Sequence, residues 1–149
     1  MKRNEEKIIL ISIAAIIVIM ALMFFVRFKV EDIEFCRLVF SRLVKGSFAA
    51  QKFIDWENLK TKKLVGFDVG ETYSSLPNKK EQEYYRKTFI KGFSLGFSKG
   101  KGDIKDFTNW RVVENTPEQA VIAADYKGKT ILFTISKIGE KKLIGIQWQ

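Results

Sequence analysis

The sequence predicts an α+β domain carried behind a single N-terminal transmembrane helix. Three observations predict it. Residues 8–26, IILISIAAIIVIMALMFFV, run without a charge. The middle of the chain carries helical periodicity, clearest over residues 79–99. The last third breaks into four β-type runs parted by turn residues. The expected organisation is a basic tail at 1–7, a signal anchor at 8–26 and one domain over 27–149, with about three helices packed on a curved four-stranded antiparallel sheet.

The apolar run comes first. At about 1.5 Å rise per residue it spans roughly 28 Å as a helix, close to the roughly 30 Å hydrocarbon core of a bilayer. It is longer than the apolar part of a cleaved signal peptide, and Met-Phe-Phe-Val-Arg-Phe-Lys closes it with no small-x-small site. Cys36 stands too far beyond it to be a lipoprotein acylation site, and no early Glu or preceding Gly-Phe marks a pilin. A retained anchor follows. Lys2, Arg3 and Lys7 precede it, and Arg27 and Lys29 follow it, so the Lys/Arg count alone leaves orientation open. The expectation is a single-pass protein of a bacterial inner (cytoplasmic) membrane, with its short basic tail inside and its C-terminal domain extracytoplasmic.

Beyond the anchor, Val30, Ile33, Cys36 or Arg37, Phe40, Leu43 and Val44 recur at helical spacing, which predicts a helix over about 31–45; continuity with the anchor is left open. Gly46-Ser47 breaks it, and SFAAQKFIDWENL reads as a short second helix with Ser47 as its cap. Residues 60–78 carry Gly66, Gly70 and Pro77 and read as a loop with little regular structure. Asp68 and Glu71 are its acids. Turn chemistry and solvated charge are preferred for them over a general base at a pocket mouth.

A strong helix is expected at about 79–99, after Pro77-Asn78 and with Glu81 and Glu83 in its first turns. Tyr85, Phe89, Phe93 and Phe97 form one aromatic stripe; Gly92, Gly96 and Gly100 form a second line at the same spacing. Glycine inside a helix costs about 1 kcal/mol. A backbone or ligand approaching closely would explain the line, and packing against a crossing neighbour is the preferred explanation. Lys99-Gly100-Lys101-Gly102 is no phosphate loop, because no strand feeds it and no Gly-Lys-Ser/Thr closes it. FTNWRVVEN, QAVIAADYK, TILFTISK and KLIGIQWQ then read as an antiparallel meander, with Ile144, Ile146 and Trp148 alternating against Leu143, Gly145 and Gln147.

Composition limits the chemistry. There is no histidine and one cysteine, which removes Ser-His-Asp and Cys-His machinery, the common zinc sets and any internal disulfide. Net charge is +9; residues 1–30 hold five basic and two acidic residues, leaving about +6 on the rest. The charge is scattered, with no Arg-rich block of the nucleic-acid-binding kind. No cofactor, metal or nucleic acid is expected.

The order of elements carries a resemblance. Leu43-Val44-Lys45-Gly46-Ser47-Phe48-Ala49-Ala50, followed by Phe53-Ile54-Asp55-Trp56, resembles the helix, glycine break and second helix that open domains of the nuclear transport factor 2-like superfamily, which have a cystatin-like cone fold. Tyr85 to Phe97 is similar to their third helix, Asn109-Trp110-Arg111-Val112 opens the sheet, and Trp148 nearly closes it, so the resemblance covers residues 31–149. It implies a cone with an internal pocket. Dehydratase-type members use a His–Asp pair, which this chain lacks. Isomerase-type members use acidic and tyrosine residues, yet Asp125 and Tyr126 are adjacent in a strand and point to opposite faces. Anchored members include inner-membrane assembly factors of type IV secretion systems, and periplasmic phospholipid shuttles are similar in layout.

The functional expectation is a membrane-anchored, non-catalytic interaction module that docks on an envelope protein or a second copy of itself and contacts membrane lipid through Ile8–Val26. The alternative is a lipid or small apolar ligand held in the cone by Trp56, Phe89, Phe93, Trp110, Tyr126 and Phe133. An isomerase-type enzyme ranks last, with Asp68, Asp106 and Asp125 as its candidate carboxylates.

Overall fold

The computed structural model describes the backbone of residues 2–149 and the side chains of residues 11–149. Lys2, Arg3, Lys7 and the first apolar residues, Ile8 to Leu10, therefore lie outside the described side chains. The chain divides into two units, Met1–Glu31 and Asp32–Gln149.

Residues 2–31 of the first unit lie within helix α1, Lys2–Val44. Its apolar side chains are exposed along the run, for example Ile11 at 70% and Phe24 at 64%. A helix apolar on every side needs an apolar surrounding. Among the described residues this helix alone is long and apolar enough to cross a membrane, which is consistent with an anchor.

The second unit is α+β. From Asp32 onward α1 buries Asp32, Cys36, Val39, Phe40 and Leu43. The buried stripe thus includes Asp32 and leaves Val30, an expected member, 53% exposed. The helix is continuous with the apolar run and ends where Gly46 takes a φ of 67°, open to glycine at no cost.

The short second helix is a 3-10 helix, Phe48–Phe53, which ends before the expected Leu59; beyond it come two isolated bridges, at Ile54 and Lys60, with a turn at 56–58 between them. Ser47 occupies the cap position without a side-chain hydrogen bond. The N–H of Asp55 donates to Leu143 O at 3.0 Å, that of Lys60 to Ile144 O at 3.0 Å, and Ile146 N–H returns to Lys60 O at 2.9 Å. These residues run parallel beside the last strand and cover its free edge. Residues 60–78 are also more regular than expected, holding helices α2 (Lys62–Val65) and α3 (Val69–Ser74). Gly70 is required by contact: a Cβ there would stand 2.5 Å from Glu57 O.

Helix α4 spans Lys79–Lys99, as the periodicity predicts, and the Asn78 side chain caps it by accepting from Glu81 N–H at 3.0 Å. The strands β1 (Thr108–Asn115), β2 (Gln119–Tyr126), β3 (Lys129–Ser136) and β4 (Lys142–Trp148) form one antiparallel sheet in the order β1-β2-β3-β4. Ile122, Ala124, Ile131, Phe133 and Ile135 share its inner face. Register shifts interrupt the β1–β2 and β3–β4 pairings, and such bulges bend a sheet. The shift between Thr134 and Ile135 alters the expected alternation in β4: Leu143, Ile146 and Trp148 join the core while Ile144 does not.

Phe40 sits at the centre of the core. Its ring makes edge contacts to Phe107 and Phe133 at 4.9 Å and to Phe93 and Phe97 at 6.0 Å. One side chain of α1 thus ties α4 to the sheet.

Candidate functional site

The aromatic stripe of α4 faces two ways. Tyr85, Phe89, Phe93 and Phe97 are each half-buried against the core. The outer edges of Phe89, Phe93 and Phe97 face α2 and the loop after it, where Leu64, Val65 and Phe67 project from a segment otherwise rich in lysine. Gly66 makes this possible. Its φ of 89° caps α2 in the left-handed region and redirects the chain. Asp68 fixes the same turn, its Oδ1 accepting from the N–H groups of Thr61 and Lys62 at 2.8 Å each. Thr61 is buried and closes the loop from inside, donating to Phe67 O at 2.8 Å and accepting from Val69 N–H at 3.1 Å.

Between these walls lies a groove of about 460 Å³, lined by Leu64, Val65, Phe67, Phe89, Gly92, Phe93, Gly96 and Phe97. A second cavity of about 320 Å³ shares Leu64, Phe93, Gly96 and Phe97 with it and continues inward to Phe40, Phe107, Tyr126 and Trp148. Both volumes fall within the range typical of small-ligand sites, about 300–1,000 Å³. The lining is apolar, with Lys127 at the edge of the inner cavity.

The glycines settle a question that spacing left open. No neighbour crosses at Gly92 or Gly96: a Cβ at either would meet nothing within 4 Å. The preferred explanation, packing against another element of the domain, therefore does not apply to these two positions. Both floor an open groove. Alanine at either is expected to stabilise the domain by about 0.5–1 kcal/mol through helix propensity, read as a raised urea midpoint of the full chain. Gly102→Ala should do the opposite, because its Cβ would press to 2.6 Å on the Phe97 ring.

The six side chains singled out from sequence divide. Phe89 and Phe93 line the groove, and Phe93 and Tyr126 line the inner cavity. Trp56, Trp110 and Phe133 line neither. Trp110 stacks on Phe133 at 5.4 Å within the core and donates to Phe107 O at 3.1 Å. Trp56 packs edge-on to Phe89 at 5.8 Å and donates to Gln51 O at 2.9 Å. Leu64, Val65 and Phe67 were missed. The available signal was an apolar triplet about a glycine, set inside a basic stretch.

The carboxylates weighed for catalysis hold structure. Asp68 caps α2. Asp106 completes a capping box with Asp103, accepting from Asp103 N–H at 3.2 Å. Asp125 accepts from Asn109 Nδ2 at 2.8 Å, Thr130 Oγ1 at 2.9 Å and Arg111 Nη1 at 3.1 Å, while Tyr126 stacks on Phe107 at 4.4 Å. None of the three lines either apolar cavity. Among the described residues no group of three or more Cys, Asp or Glu converges as a metal site.

The backbone donors of Lys62 and Thr61 hold the Asp68 carboxyl below its ordinary range, and hydrogen bonds from Asn109 and Thr130 do the same for Asp125. A lowered folded-state pKa means the unfolded chain binds the proton more readily. Each group thus contributes stability above the ordinary carboxylate pKa and loses it as pH falls through the folded value. Asp68→Asn and Asp125→Asn should be less stable than wild type at neutral pH and show a shallower fall in acid, measured as the urea midpoint against pH.

Comparison of the chain with protein-family models, with curated proteins and with solved structures finds no match. The description of this protein rests on its own fold: an α+β domain behind a long apolar helix, with an apolar groove on its surface.

Proposed function

We propose that this protein is a membrane-anchored, non-catalytic interaction module whose α4 groove receives the apolar face of a helix from a partner protein of the cell envelope. The observation that carries this is the open glycine floor: Gly92 and Gly96 lie one turn apart, clear of any neighbour, between phenylalanine walls. Small residues at that spacing let a second helix backbone come close, and an apolar face in such a groove is anchored at i, i+3 and i+4. Lys62 and Lys63 on α2, and Lys91 and Lys99 on α4, are exposed beside the lining residues. They favour acidic flanks on the incoming helix.

The resemblance to the nuclear transport factor 2-like superfamily belongs to this reading, supported by helices that precede an antiparallel meander. So does location in the cytoplasmic membrane, with Ile8–Val26 spanning and the domain extracytoplasmic. A reporter fused after Gln149 checks the side; activity confined to the cytoplasm contradicts it.

The inner cavity favours a second reading, an acyl chain entering past Phe97. Photo-crosslinking in membranes separates the two. A crosslinker at Phe67 or Val65 should yield a protein adduct that a crosslinker at Tyr84, 73% exposed and outside the groove, does not. A lipid adduct from the groove positions supports the second reading. Equal yields from all three positions would leave the groove no special role.

A further inference from the structure

The turn between β3 and β4 reads Lys137-Ile138-Gly139-Glu140-Lys141-Lys142. Two of its lysines hold one buried acid. Asp32 is 0% exposed, with Lys141 Nζ at 2.7 Å and Lys137 Nζ at 3.4 Å. This pins the turn to the first residue of the domain unit. Five residues separate Val26, the last of the apolar run, from Asp32, so the two are at most about 22 Å apart whatever path the chain takes. With the apolar run spanning, connectivity alone keeps the Lys137–Lys141 turn within reach of the membrane surface.

Its tip is unusual for that position. Ile138 is 72% exposed, more than any other large apolar side chain described except Tyr84. Beside the turn lies a cleft of about 470 Å³ where Phe35 and Phe53 face Lys52, Lys141 and Lys142, with Glu140 at the rim. The Lys142 ammonium contacts Glu140 and the Lys52 carbonyl. Counting Asp32 and Glu140 against Lys52, Lys137, Lys141 and Lys142, the patch stays cationic. An exposed aliphatic tip ringed by lysines suits an interface of headgroups over acyl chains.

We propose that the β3–β4 turn and this cleft form a lipid-contacting surface, in which Ile138 enters the interface and the lysines engage the phosphates of anionic phospholipids. The inference rests on the reading of the apolar run as an anchor. Such a contact would hold the domain against the bilayer instead of leaving it free on its tether.

The test uses the full chain in nanodiscs containing brominated acyl chains, with and without phosphatidylglycerol. A fluorophore is placed by Ile138→Cys, with Tyr84→Cys as control; Cys36 is buried and stays unlabelled. Quenching should be several-fold greater at position 138 than at 84 when phosphatidylglycerol is present. It should drop toward the control when that lipid is replaced by phosphatidylcholine, and in the Lys52→Gln/Lys142→Gln variant. Equal quenching at the two positions overturns the proposal, and quenching indifferent to headgroup charge overturns its lysine–phosphate part. Alkaline carbonate extraction of the same chain reads the anchor separately. Release from the membrane sinks both readings, whereas retention with an unquenched position 138 sinks only this one.

Discussion

Phe40→Ala lowers the stability of the domain by about 3–5 kcal/mol, the range for deleting a buried phenylalanine and leaving its cavity. Phe40 is 1% exposed, and four rings close on it from α4, the sheet and Phe107. Aromatic edge contacts add to the area term, so the upper part of the range is expected. Domains of this size are stable by only about 5–15 kcal/mol, which makes this about a quarter or more of the total. The damage reaches the groove as well, because Phe93 and Phe97 lean on Phe40 and line it from behind. Phe40→Leu, which nearly conserves volume, should cost less than about 2 kcal/mol. Urea unfolding of the full chain followed by tryptophan fluorescence reads both; Trp110 stacks on Phe133 beside the site. Equal midpoints for the alanine variant and wild type would remove Phe40 from the centre of the core.

The second large effect concerns Asp32. Removing both cations by Lys137→Met/Lys141→Met leaves its carboxylate buried without a counter-charge, at a cost of about 3–5 kcal/mol at neutral pH. The reverse change is milder. With Asp32→Leu the ammonium groups can turn to water, since the Lys137 and Lys141 side chains already keep 17% and 31% exposure. Adding Asp32→Leu to the double lysine variant should therefore restore most of the lost stability, because replacing a whole buried ion cluster by apolar side chains is often neutral. The same urea titration measures it. If the triple variant is no more stable than the double one, the loss comes from the lysine stems and the Lys137 contacts with Asn115 and Thr116, not from an isolated charge.

How far the sequence carried depended on whether the deciding interactions are local. Helix α4 was legible to the residue, because the Asn78 cap and the aromatic period both lie within it. The meander was legible because each strand is parted from the next by its own turn, with Gly128 and Gly139 at positive φ. The second helix was placed from sequence but not bounded, because the stretch after Phe53 is held by backbone pairing of Asp55 and Lys60 with Leu143 and Ile144, far away in the chain. Gly66 and Gly70 read as breakers in a loop. In the fold Gly66 caps α2, while Gly70 lies inside α3 where the Glu57 carbonyl presses on it. The buried acid at Asp32 was not legible, since its lysine partners stand over a hundred positions away at 137 and 141. Half of the groove was visible as the phenylalanine and glycine lines of α4. The other half needed the turn that brings Leu64, Val65 and Phe67 across from it.

Gly92 and Gly96 are clear of the domain's own packing, and the proposed occupant of the space above them is a partner helix. Gly92→Leu/Gly96→Leu fills the groove floor from positions with free space above them. The decisive measurement takes the photo-crosslinked protein adduct from Phe67 and the urea midpoint on the same membrane preparation. The account predicts a midpoint equal to or above wild type, together with loss of the adduct. A stable variant that still forms the adduct at the wild-type yield would contradict it.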